Sequence, residues 1–141
     1  MSVQMILLPL FVQVLLTFVL LFWMGSLRVF TVRRGEVLPG DIALREPNWP
    51  PRVQQIANAY HNQLELPVLF YVLTILALFT RQADYIFVVL AWIFVALRIV
   101  HALIHVTSNH VPSRGGVFIL SAAVLAIMWG MFMLRILLAV G

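Results

Sequence analysis

VQQIANAYHNQLELPVLFYVLTILALFT, residues 53–80, changes character at its midpoint. The first half carries Gln54, Gln55, Asn58, His61, Asn62, Gln63 and Glu65, whereas the second is almost wholly apolar. The whole stretch exceeds the roughly 20 residues that a helix needs to cross a hydrocarbon core of about 30 Å. Its polar half cannot face lipid, because an amide or carboxylate left in hydrocarbon costs several kcal/mol. That half must face protein or water, so this helix belongs to a bundle. Pro67 brings a missing backbone donor two residues after Glu65 and predicts a kink there.

Three further apolar runs flank it, at about Met5–Leu27, Asp84–Val106 and Val117–Val140. Of 141 residues, 63% are apolar and 10% charged, with a mean hydropathy of +1.04. Soluble domains are about half apolar, so the reading is an all-α integral membrane protein, a single domain folded as a four-helix transmembrane bundle. The first run lacks the basic start and small-residue end of a cleaved signal and reads as a retained span. Residues 28–52 hold Gly35, Pro39, Gly40, Pro47, Pro50 and Pro51 and read as a long loop, an ordered rim rather than a floppy tail. Arg135 stands near enough to the end of the last run to snorkel to the interface.

All nine basic residues are Arg, and the pI is about 10.7. Such a value often marks a nucleic-acid partner, but the arginines are spread around apolar runs, so topology accounts for them and no nucleic acid is expected. Arg28, Arg33, Arg34, Arg45, Arg52 and Arg114 lie in the first and third loops, against Arg81 and Arg135 on the other side. The positive-inside rule then makes the long loop cytoplasmic and puts both termini on the non-cytoplasmic side. The surface arginines also attract anionic membrane lipids. There is no Cys, so any thiol must arrive with a ligand.

Asn58, Asn62 and Glu65, at i, i+4 and i+7, form one stripe on the second helix, and Arg98, His101 and His105 form another on the third. Charges inside a bundle pair with one another, and Glu65 with Arg98 is the natural ion pair. These residues serve as interhelical glue, as a site, or as both. His101 and His105 also have the spacing of metal ligands, with His110 or Glu65 as a third, but the residues between them are apolar and lack a hydrolase carboxylate. No metal is expected. Arg114 beside Gly115 and Gly116, before the fourth helix, reads either as an anion site on free backbone N–H groups or as ordinary topology.

Taken together, Asn62-x-x-Glu65 near Pro67, Arg98-x-x-His101, Gly25-x-x-Arg28 at the end of the first helix, and Arg114 opening the fourth resemble the MAPEG family. These are the membrane-associated proteins of eicosanoid and glutathione metabolism, and the resemblance covers essentially the whole chain. It implies a homotrimer binding glutathione between subunits near the cytosolic face, with a lipophilic small molecule entering from the bilayer. Transferred to this chain, it makes Arg114 the catalytic arginine beside the thiol. Arg28, His61, Asn62, Glu65 and His101 become cofactor-binding residues, with Arg98 the partner of Glu65. A bacterial inner membrane is the expected location.

The chain departs from the family pattern where Asn58 and His61 replace arginines, and where Gly115 and Phe118 replace a serine and a tyrosine. Two readings follow. One is a glutathione-dependent transferase or peroxidase for lipophilic substrates; the other is a non-catalytic trimer that binds lipid or supports another membrane complex.

Overall fold

The computed structural model describes residues 1–44 and 48–139. Among them the chain is helical with no strand: α1 (Val3–Arg33), a single 3-10 turn (Pro39–Asp41), α2 (Pro51–Asn62), α3 (Leu66–Phe79), α4 (Tyr85–Val106) and α5 (Val111–Leu138). Four helical stretches are long and apolar enough to cross a membrane, α2 and α3 together making one of them. Large apolar side chains such as Phe22, Ile75, Phe79 and Leu120 point outward, as immersion in hydrocarbon requires. The expected end of the last span at Val140, and Arg45 in the topology count, lie outside the described residues.

α1 runs on through Arg28 to Arg33, where the sequence reading places loop. Nothing between Leu27 and Arg33 breaks a helix, and at 1.5 Å per residue its 31 residues extend about 46 Å, beyond a bilayer core. It stops at Gly35, whose φ of 73° is a left-handed conformation that glycine adopts without cost. The Gly35 N–H donates to the Val32 carbonyl and the Glu36 N–H to that of Thr31, the paired bonds of a Schellman end. The loop beyond is tied down, with the Asn48 amide donating to the Asp41 carbonyl and the Arg28 guanidinium lying 5.0 Å over the Trp49 ring.

The kink expected at Pro67 is a full break. Pro67 lacks an N–H and its ring clashes with the carbonyl four residues back, so α2 ends at Asn62 and α3 restarts at Leu66. The intervening N–H groups of Gln63, Leu64 and Glu65 make tight bonds to carbonyls three residues earlier.

Two apolar clusters hold the bundle. Ile6, Phe70, Leu73, Phe87, Phe94, Leu125 and Met128 fill one end, and Leu20, Met24, Ile56, Ala59, Ala102 and Val106 the other. In chain order, Gln13, Gln63, Asn62 and Arg98 fall between the two, forming a polar layer at mid-depth. The Gln13 amide donates to Gln63 Oε1 at 2.9 Å, and the Gln63 amide donates to the Ala59 carbonyl at 3.0 Å, which joins α1 to the end of α2. Two polar residues in the first turns of α2 close α4. Arg52 donates to the Val106 carbonyl, and Gln55 donates to those of His105 and Thr107, satisfying groups that a helix end leaves open.

At the opposite end, Asp84 caps α4 by accepting the Phe87 N–H at 2.9 Å and pairs with Arg135 of α5 at 2.8 Å. Arg135 also donates to the Gln82 carbonyl. Arg135 is therefore a pin between two helix ends. Burial alone would raise the Asp84 pKa, but the Phe87 N–H and the bond and charge of Arg135 outweigh it and hold the carboxyl below its ordinary 3.8.

Two outcomes follow from these contacts. Gln63→Leu strands the buried Gln13 amide and should cost about 1–3 kcal/mol. The Gln13→Leu/Gln63→Leu double variant should recover most of that loss, as read by a double-mutant cycle of unfolding in detergent. Because the Asp84 pKa is depressed, its contribution is present above the unfolded-state value and disappears as pH falls through the native one. The stability gap between wild type and Asp84→Asn, at most about 1 kcal/mol for so exposed a pair, should stay constant above about pH 5 and close in stronger acid.

Candidate functional site

The helix break fixes the centre of the site. Ending α2 at Asn62 leaves carbonyls without their usual donors four residues on, and Arg98, fully buried on α4, meets that deficit. Its Nη2 donates both to the Asn62 carbonyl and to Asn62 Oδ1. The expected direct pair between Arg98 and Glu65 does not form. The one ion pair within 4 Å among the described residues is Arg135 with Asp84. The break swings Glu65 to the exposed cap position of α3, where its charge still acts on Arg98 from beyond contact distance. The Arg98 guanidinium also stands 5.7 Å from the Phe118 ring centroid.

Beside this pair opens a cleft of about 570 Å³, within the range of small-molecule sites. Asn58, His61, Asn62 and Glu65 line it from α2 and the break, His101 and His105 from α4, and Arg114, Gly115, Phe118 and Ile119 from α5. His101 and His105 are 2% and 6% exposed, and their rings meet edge to face at 5.6 Å. Neither Nδ1 has a hydrogen-bond partner among the described residues. Phe118 closes the wall against His101, with ring centroids 5.8 Å apart.

Arg114 sits differently from the sequence expectation. α5 begins at Val111, so Gly115 and Gly116 lie inside the helix and their N–H groups are not a free anion nest. Pro112 and a β-region residue at His110 start the helix there. Arg114 is half-buried in the first turn, its backbone N–H bonded to the His110 carbonyl. Its Nη1 donates to Oδ1 of Asn109, a residue in the left-handed conformation at φ 53° that links α4 to α5. The side chain is thus aimed by the turn that precedes it.

The structure brings together His61, Asn62, Glu65, His101 and Arg114. It does not bring Arg28 to them within one chain, since Arg28 stacks on Trp49 and is not part of the cleft lining. His110 is absent from the lining too and shares a 2.8 Å hydrogen bond with Ser113. Among the described residues, no three of His, Asp or Glu stand close enough to hold a metal ion. Sequence reading missed Ile119 in the wall and the Gln13–Gln63 bond behind the site. Gln13, a lone amide in the apolar first run, was the available signal for that bond.

The model of the MAPEG family matches residues 6–134 of the chain. The chain belongs to the MAPEG family. No curated protein and no solved structure matches it. Membership together with four apolar helices makes this an integral membrane protein and connects it in general terms with glutathione-related function. On this MAPEG chain, Asn62→Leu should remove the side-chain acceptor of a buried guanidinium and cost about 2 kcal/mol. Asn58→Leu, on the same stripe but exposed, should cost under about 0.5 kcal/mol. Thermal unfolding of the two variants in detergent checks the contrast.

Proposed function

We propose that this protein is a glutathione-dependent transferase or peroxidase for lipophilic substrates, assembled as a homotrimer. The observation that carries the reading is that Arg114, His61, Asn62, Glu65 and His101, drawn from three separate stretches of chain, line one cleft. Glutathione is the co-substrate. The donors of Arg114, His61 and Asn62 suit its carboxylates and thiolate, and Glu65 suits its amino group. Arg28 enters from a neighbouring subunit, which accounts for its distance from the cleft lining of its own chain. The positive-inside rule places the cleft at the cytoplasmic side and the termini opposite, in a bacterial inner membrane.

Arg114 supplies the chemistry. A free thiol with a pKa of about 8.5 is mostly protonated at neutral pH, and a guanidinium beside it favours the nucleophilic thiolate. Each unit by which the thiol pKa falls corresponds to about 1.4 kcal/mol. Phe118 favours the second reading, a non-catalytic lipid-binding trimer, because it gives the cleft an apolar wall.

Calorimetric titration of glutathione into the detergent-purified protein separates the two. The first reading expects micromolar to low-millimolar binding that Arg114→Ala reduces at least about tenfold. Absence of binding at several millimolar transfers the cleft to the lipid reading.

A further inference from the structure

The cleft contains a group that thiolate stabilisation by an arginine does not use. His105 is nine-tenths buried, lines the cleft, and has an Nδ1 with no partner among the described residues. That Nδ1 has no exposed surface, so Nε2 is the ring nitrogen that a ligand in the cleft can reach. The position is built: Gln55 of α2 clamps the His105 carbonyl at 2.8 Å, and the His101 ring supports the imidazole edge to face. The charged and titratable groups around it are His61 and Glu65 from the α2–α3 side, Arg98 and His101 from its own helix, and Arg114 from α5. On α4, His101 stands three residues from Arg98 and His105 seven, next to the helix end whose following turn carries Asn109 and, bonded to it, Arg114. His105 is thus the imidazole associated with the arginine that would face the thiolate.

We propose that His105 is the proton acceptor for the bound thiol, with Arg114 the counter-ion of the thiolate so formed. This rests on the glutathione reading above. The S–H bond breaks with its electron pair left on sulfur, and the proton passes to an imidazole nitrogen. A neutral thiol and a neutral imidazole become a thiolate and an imidazolium, so charge is conserved and no co-reactant is needed. The imidazolium then returns the proton to the product or leaving group. Imidazole is the side chain whose ordinary pKa suits it both to take and to return a proton near neutral pH.

Protein labelled with 15N in its histidine rings, titrated with glutathione and separately with S-methylglutathione, tests this on the unaltered chain. The methylated peptide keeps every other group but has no thiol proton. Only glutathione should move the His105 ring signals, identified by their loss in His105→Gln, to the imidazolium pattern, with thiolate ultraviolet absorbance appearing in step. In His105→Gln at neutral pH the bound-thiolate absorbance should fall at least about tenfold, the factor of one pK unit, with affinity for S-methylglutathione changed less than about threefold. Equal ring shifts with both peptides, or full thiolate absorbance in His105→Gln, would overturn the assignment while leaving glutathione binding intact. Failure of both peptides to bind the unaltered protein would instead remove the glutathione reading and this proposal with it.

Discussion

A guanidinium with no exposed surface, held at mid-depth between four apolar helices, is the constraint around which this molecule is arranged. A guanidinium brings five N–H donors and no acceptor, so the fold must supply acceptors where apolar packing would otherwise be continuous. The supply comes from a broken helix. Pro67 ends the α2 ladder, the Asn62 carbonyl keeps a 3.3 Å bond from the Glu65 N–H, and Arg98 adds a second donor to it while also engaging the Asn62 side chain. The break thus turns a carbonyl and an amide oxygen toward Nη2, while Nε and Nη1 have no hydrogen-bond partner among the described residues.

The polar layer divides the bundle into two apolar clusters and leaves a different task to each end. At one end Phe70, Phe94, Leu125 and Met128 pack tightly, and the Asp84–Arg135 pin closes α4 against α5. At the other end α2 spends its polar side chains on the last carbonyls of α4 through Arg52 and Gln55. That second arrangement holds the His101–His105 turn of α4 in place facing α5. The cleft occupies the gap where α2 has stopped and α5 has just begun, so its lining residues come from helix ends and the break rather than from the middle of packed faces.

Position within the bundle also sets the chemistry open to the cleft. Arg114 is aimed by Asn109 from the preceding turn, and Phe118 removes one wall from water. Charges in such surroundings interact more strongly than in bulk solvent. A thiolate between Arg114 and the paired histidines would meet one fixed cation and one exchangeable proton, while Glu65 balances charge from the rim. Neutral Asn58 and aromatic Phe118 add no charge to this cleft, and Phe118 gives it an apolar wall.

By itself the sequence determined the four apolar stretches, the all-helical class, the polar stripe from Asn58 to Glu65 and the stripe from Arg98 to His105. Each of these is a local periodicity or composition, and burial in lipid leaves few alternatives for such stretches. It also marked His61, Asn62, Glu65, His101 and Arg114, which the structure gathers in one cleft. Only the tertiary structure decided who pairs with whom. Glu65 and Arg98 are the two charges that a pattern would join, but the Pro67 break rotates Glu65 outward and presents Asn62 instead. Gln13 and Gln63 are 50 residues apart in sequence, so no periodicity could link them. The start of α5 at Val111 likewise depends on how the turn through Asn109 meets the end of α4. Hydrogen-bond partners across helices are chosen by where the backbone stops, and that is settled by packing rather than by any residue alone.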